Sequence, residues 1–122
     1  MSIYQDIILD HYRNPRNFGR LPHATHESEA KNLSCGDRLE ITVSVKNSVV
    51  DDIRFQGEGC AISQAAASML TEYAKGKPAE TLLALDPKKV LELLALELSP
   101  TRMKCALLSL ETLKKTLNST KI

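Results

Sequence analysis

Alternating apolar and polar residues in the middle of the chain predict two β-strands. Apolar side chains recur at every second position from residue 39 to 45, which places them on one face of a strand. The pattern resumes over residues 49–56 after Asn47-Ser48, and asparagine tolerates the left-handed geometry of a tight turn. These segments therefore predict a hairpin, and the polar segment 24–32 is expected to add an exposed edge strand.

Helical periodicity surrounds this hairpin. The predicted helices span residues 2–13, 61–75, 87–98 and 101–117. Gly76 supplies a stop for the second helix, Asp86-Pro87 an N-cap and first turn for the third, and Pro100 must end the third. The order helix, strands, helices predicts an α+β fold in one domain, residues 1–122, with a small antiparallel sheet covered on one face by helices.

Composition then narrows the function. The 122 residues carry a formal net charge of +1, and the aromatic residues are two Phe and three Tyr with no Trp. Such a chain lacks the positive electrostatic field that attracts nucleic acid or an anionic membrane. It also has few aromatic side chains on which single-stranded bases could stack. An odd number of cysteines, three, favours a reducing compartment. With no signal peptide pattern or apolar run long enough to span a bilayer, we expect a cytoplasmic protein.

The three cysteines share a setting. Cys35, Cys60 and Cys105 are too far apart for a local zinc motif, but each lies at a glycine turn or at a predicted helix start. A helix N-terminus favours thiolate over thiol, which we expect to apply to Cys60 and Cys105, the latter in or just before the first turn of the last helix. Asp37 can turn toward the same point as Cys35 if Gly36 adopts a conformation open to glycine.

Three thiolates and one carboxylate make a tetrahedral set, suited to zinc or to iron in a sulfide-bridged cluster. The oxygen ligand is the weaker one, which suits transfer of a cargo. We expect Arg38, Arg102 and Lys104 to balance the negative charge, and Lys104 to favour the thiolate of Cys105. Taken singly, each cysteine is also compatible with a small buried hydrophobic residue, and Asp37 with a turn or capping residue.

The chain resembles the IscU/SufU family of iron–sulfur assembly proteins, also found as the N-terminal domain of NifU. The matching segments are Asp10-His11-Tyr12-Arg13-Asn14-Pro15-Arg16-Asn17, Cys35-Gly36-Asp37, Gly57-Glu58-Gly59-Cys60-Ala61-Ile62-Ser63 and Lys104-Cys105. The resemblance implies a three-stranded antiparallel sheet with helices. It also implies that Cys35, Asp37, Cys60 and Cys105 hold a [2Fe–2S] cluster or its iron, or zinc in the cluster-free form.

The same resemblance implies partners. A cysteine desulfurase would donate persulfide sulfur, with Cys105 and Cys35 as acceptors supported by the charge of Lys104, and acceptor proteins would receive the cluster. A cluster shared between two chains would make a homodimer. We expect a scaffold and sulfur acceptor more than a turnover enzyme; if it is an enzyme, a sulfurtransferase is expected.

Two departures keep a second function open. Lys104 stands where IscU scaffolds have histidine and resembles SufU, a zinc-dependent sulfur acceptor, whereas the 45-residue interval from Cys60 to Cys105 is the short IscU length. A zinc-bound adaptor that only docks to the desulfurase is a third reading. His11 is expected to pack or cap, and His23 and His26 to be exposed loop residues.

Overall fold

The computed structural model describes residues 3–32, 36–94 and 100–119. Its elements are α1 (Ile3–Arg13), β1 (His26–Asn32), β2 (Asp37–Lys46), β3 (Val49–Glu58), α2 (Ala61–Ala74), α3 (Ala79–Leu83), α4 (Pro87–Leu94) and α5 (Pro100–Asn118). The predicted α+β fold is confirmed. No described helix is long and apolar enough to cross a membrane.

The strands form one antiparallel sheet in the order β1-β2-β3. The predicted hairpin is present, because Asn47 and Ser48 both have positive φ, 53° and 67°, as a two-residue turn of the favoured handedness requires. The predicted edge strand is also present as β1, in register with β2 from His26 opposite Val43 to Asn32 opposite Asp37.

The main core lies between one face of the sheet and the helices α2 and α5. Alternation along β2 and β3 buries the apolar side chains on this face completely, among them Leu39, Ile41, Val43, Ile53 and Phe55. Helices α2 and α5 cover them with Leu70, Leu108 and Leu113, all at most 1% exposed. The packing fixes the start of β2, the start of α2 and the first half of α5 relative to one another.

Helix α1 packs on α2 through a buried polar contact. The Nδ1 atom of His11 lies 2.7 Å from Oγ of Ser68, and the same oxygen accepts the backbone N–H of Arg16 at 2.9 Å. Beyond α1, the chain runs along the edge of β3, where the N–H of Phe55 donates to the carbonyl of Asn17 and the N–H of Gly19 to the carbonyl of Phe55. His11 is therefore a packing residue, as expected.

Helix α5 covers the opposite edge of the sheet. Nζ of Lys115 donates to the carbonyl oxygen of Glu29 at 2.7 Å, and Oγ of Ser119 donates to that of Glu27 at 2.9 Å. A hydroxyl contact extends this cover, because Oγ of half-buried Ser28 lies 2.7 Å from Oγ1 of buried Thr116. Side-chain cover of this kind protects an edge strand from pairing with another chain.

Two helical features differ from the prediction, and a third prediction is not tested. The short helix α3 was not predicted, and the predicted extent of the third helix to Leu98 falls outside the described residues. Helix α5 begins at Pro100, which the sequence analysis assigned only as the end of the preceding helix. Proline fits the first position of a helix because the N–H that it lacks would have no intrahelical partner there.

Candidate metal centre

Three of the four predicted ligands converge at one end of the sheet. Asp37 is the first residue of β2, Cys60 directly precedes α2, and Cys105 lies in α5. Their ligand atoms, one carboxylate oxygen and two sulfurs, all lie within 4.8 Å of one another. Residues far apart in sequence are thus brought to one point by the packing of β2, α2 and α5.

The carboxylate of Asp37 is held against the start of α2. Its Oδ1 atom accepts the backbone N–H of Cys60 at 2.9 Å, and its Oδ2 atom lies 3.9 Å from Sγ of the same residue. Asp37 is only 1% exposed. A buried carboxylate needs hydrogen bonds or a cation, and here a backbone N–H at the positive end of a helix meets part of that need.

Gly59 makes this approach possible, a role that the sequence analysis did not assign. Its φ is +155°, and a Cβ atom placed on it would lie 2.2 Å from Oδ1 of Asp37 and 2.7 Å from Oγ of Ser63. Ser63 is itself fully buried and donates to the carbonyl of Cys60 at 3.1 Å. The sequence signal was the glycine directly before Cys60, which marks a close approach of backbone and side chain.

The donor geometry fits a tetrahedral ion. With bonds of about 2.3 Å to sulfur and about 2.1 Å to oxygen, the sulfur and oxygen ligands of zinc lie ~3.6 Å apart and two sulfurs ~3.8 Å apart. The observed 3.9 Å between Sγ of Cys60 and Oδ2 of Asp37 is close to the first value, and the 4.8 Å limit for all three donors means that an ion would draw them about 1 Å closer together at most. Because Oδ1 already accepts a hydrogen bond, Oδ2 is the atom placed to be a ligand.

The predicted fourth ligand, Cys35, lies outside the described residues. Its neighbour Gly36 has a φ of +70°, the glycine-type conformation that the sequence analysis required for this turn. The ligand role of Cys35 stays a prediction that rests on the sequence.

The setting of Cys105 differs from the prediction. Because α5 begins at Pro100, Cys105 lies in its second turn and is 2% exposed. The helix-dipole effect is confined to the first turn, so the predicted stabilisation of a thiolate at a helix N-terminus does not apply here. Cys60 lies where it was predicted, as the N-cap residue of α2, and is half-buried.

The expected balance of charge is contradicted for Arg38, and for Arg102 and Lys104 it stays a prediction. Arg38 follows Asp37 on a strand, so its side chain points to the opposite face, where it forms an ion pair with Glu29 at 3.1 Å. Lys104 and Arg102 are exposed on α5. Arg38 is therefore not the counter-charge that the sequence analysis assigned to this site.

The histidines do not join the ligand group. Among the residues that the structure describes, Asp37, Cys60 and Cys105 are the group whose donors could hold a metal ion. His26 contacts Oγ1 of Thr25 at 2.8 Å, and His23 is exposed in the loop before β1.

An antiparallel sheet layered with helices, with two thiols and a buried carboxylate meeting at one end, defines a small α+β protein with a candidate metal site. Residues 3–121 match the NifU-like N terminal domain family, and the chain belongs to it.

Curated relatives and a solved structure support the assignment to this family. The chain is 37% identical to the zinc-dependent sulfurtransferase SufU of Bacillus subtilis, covering 93% of this chain and 88% of that protein. It is 42% identical to the iron–sulfur cluster assembly scaffold protein IscU of Aquifex aeolicus, covering 90% and 71%. A solved structure of a candidate SUF-system scaffold protein from Fervidobacterium islandicum superposes with a TM-score of 0.77 at 28% identity, covering 97% of this chain and 96% of that one.

Proposed function

We propose that this protein is an iron–sulfur cluster assembly scaffold. It receives persulfide sulfur from a cysteine desulfurase and assembles a [2Fe–2S] cluster on Cys35, Asp37, Cys60 and Cys105, with iron and with the electrons that reduce persulfide sulfur to sulfide supplied by other partners. It then passes the cluster to acceptor proteins. The observation that carries the proposal is the convergence of two sulfurs and one carboxylate oxygen within 4.8 Å at the end of the sheet. Family membership and the identity to IscU support it.

The ligand set suits a cargo that must leave. Thiolates bind iron and zinc strongly, whereas the carboxylate of Asp37 is a harder and weaker ligand. Its Oδ1 atom already has a partner in the N–H of Cys60. Asp37 can therefore release the cargo and keep a hydrogen bond, which lowers the cost of opening the site.

Sulfur acceptance is assigned to Cys105 and Cys35, with Lys104 supplying positive charge. The thiolate would attack the outer sulfur of the desulfurase persulfide, forming a persulfide on this chain and expelling the thiolate of the desulfurase. Because Cys105 is 2% exposed, this step requires the first half of α5 to open locally.

A second function has support of its own. Lys104 precedes Cys105, and the relative at 37% identity is a zinc-dependent sulfurtransferase. In that case zinc occupies the same donors and stabilises the fold, and displacement of one cysteine frees it to take sulfur. The two functions differ in the group bound at the site: an iron–sulfur cluster in the scaffold and zinc in the sulfurtransferase.

Anaerobic assembly tests both. The full chain is incubated with ferrous iron, cysteine, a desulfurase and a thiol reductant that converts persulfide sulfur to sulfide, and charge-transfer absorption and bound sulfide are measured. A scaffold should gain both the absorption and the sulfide. The variants Cys60→Ser and Cys105→Ser should lose both signals. Ser109→Ala is the control and should keep them, because Ser109 is a buried residue of α5 whose hydroxyl donates to the carbonyl of Ala106.

Absence of cluster absorption with a competent desulfurase would contradict the scaffold. Stoichiometric zinc, with persulfide transfer that iron does not support, would select the sulfurtransferase. Size-exclusion chromatography of the loaded and zinc-bound forms tests whether a cluster joins two chains in a homodimer.

A further inference from the structure

A cavity of about 440 Å³ opens beside the metal centre, outside its ligand group. Among the residues that the structure describes, its lining consists of Lys31, Asn32, Lys104, Leu107 and Glu111. Two neighbours tie it to the centre: Lys104 precedes Cys105 in α5, and Asn32 pairs with Asp37 across the sheet. The volume is within the range of small-molecule sites.

The charges on its wall are available to a ligand. Within the described chain, no ion pair or side-chain hydrogen bond involves Lys104 or Glu111. Lys31 has only a contact at 3.9 Å with Glu29, which Arg38 already binds at 3.1 Å. The cover that Lys115 and Ser119 give the edge of β1 ends at Glu29, before the cavity begins.

This lining selects one class of ligand. Two ammonium groups match two carboxylates, and the single carboxylate of Glu111 matches one ammonium, so a wall of net charge +1 is complementary to a molecule of net charge −1. Leu107 offers an apolar contact for the body of such a molecule.

We propose that this cavity binds a low-molecular-weight thiol that carries two carboxylates and one ammonium group. Lys31 and Lys104 hold the carboxylates and Glu111 holds the ammonium. The thiol in this assignment rests on the proposed function, because it is the group that can act on sulfur or metal at the neighbouring cysteines. The two carboxylates and the ammonium group of the ligand are inferred from the residues of the cavity alone.

S-methylglutathione tests the cavity separately from the metal centre, because it keeps both carboxylates and the ammonium but has no thiol. Titration of the metal-free full chain, followed by amide chemical shifts, should give saturable changes at Asn32, Leu107 and Glu111 that weaken with added salt. Lys31→Gln should weaken binding about two- to fivefold, as for a partly exposed ion pair. Lys88→Gln, an exposed lysine of α4, is the matched control and should leave binding unchanged.

The ammonium contact has its own test. Glu111→Gln should weaken binding of S-methylglutathione about two- to fivefold but should not weaken that of its N-acetyl form, which lacks the ammonium. Absence of saturable changes at the cavity, or equal effects of Lys31→Gln and Lys88→Gln, would overturn the assignment.

Reduced glutathione tests the thiol. It should bind the zinc-loaded chain more tightly than S-methylglutathione does, and equal affinities would remove the thiol from the assignment. If the chain binds S-methylglutathione but holds neither zinc nor a cluster, the proposed function is contradicted and the ligand assigned to the cavity is retained without its thiol. If the chain assembles clusters but does not bind S-methylglutathione, the ligand assigned to the cavity is contradicted and the proposed function is retained.

Discussion

Oδ1 of Asp37 accepts the backbone N–H of Cys60 at 2.9 Å, so one predicted ligand anchors the residue that carries another. The bond joins the start of β2 to the start of α2. It orients Oδ2 toward Sγ of Cys60, 3.9 Å away. The carboxylate thus has a structural partner and a proposed ligand role at the same time.

Replacing Asp37 by alanine should slow cluster transfer several-fold, because the weak oxygen ligand that opens first is gone. Asp86→Ala is the matched control, since Oδ1 of Asp86 also accepts a backbone N–H, that of Lys88, at 2.9 Å. Each change should lower the free energy of unfolding by about 1 kcal/mol. Transfer rates to an apo-ferredoxin measure the difference, and a rate for Asp37→Ala equal to that of the parent would disprove the assigned role.

Gly59→Ala should weaken zinc binding at least tenfold, because the new Cβ would lie 2.2 Å from Oδ1 of Asp37 and push the carboxylate away. Gly76→Ala provides the control, since Gly76 also has a positive φ, +87°, but no atom lies within 4 Å of its added Cβ. Both variants should be destabilised by about 1–2 kcal/mol through backbone strain. Competition with a zinc chelator measures affinity, and equal losses in the two variants would contradict a specific contact with Asp37.

Features that depend on local pattern were predictable from the sequence. The period-two alternation of residues 39–45 and the turn at Asn47-Ser48 define the hairpin, and both are observed. Glycine before Cys60, followed by an apolar helical stripe, placed that thiol at the start of α2. These predictions succeeded because each depends on a few adjacent residues and on backbone conformation.

Features that depend on tertiary packing were not predictable. The contact between Gly59 and Asp37 joins residues far apart in the chain, so the glycine before Cys60 signals a close approach but does not identify Asp37 as the partner. Cys105 was assigned to the first turn of its helix because Pro100 was taken only as a terminator, although proline also starts helices. The orientation of the Arg38 side chain, by contrast, could have been predicted from the sequence. Successive side chains on a strand point to opposite faces, so Arg38 points away from the face on which Asp37 lies.

Stability should depend on pH through His11. Burial, with a further contribution from Arg16, lowers the pKa of this histidine below its ordinary value of 6.5, while Glu72 and Asp10 act in the opposite direction. A lowered pKa means that the folded state prefers neutral imidazole. The stabilisation is therefore present above pH 6.5 and is lost as the pH falls through the lower folded-state pKa.

The measurement is urea unfolding of the parent and of His11→Gln between pH 8 and pH 5. Glutamine can still hydrogen bond to Ser68 but does not titrate in this range, so the loss of stability on acidification should be smaller in the variant. Parallel pH profiles for the two proteins would show that His11 does not couple folding to protonation.

The two described thiols should differ in reactivity in the metal-free chain. Cys60 is half-buried at the start of α2, whereas Cys105 is 2% exposed within α5, so iodoacetamide should alkylate Cys60 at least tenfold faster. Peptide mass mapping of a Cys35→Ser variant follows the two sites separately, and urea should bring the rates together. Zinc should protect both thiols if both are ligands. Equal rates in the folded chain would mean that α5 opens readily at Cys105, and protection of Cys60 alone would remove Cys105 from the ligand set.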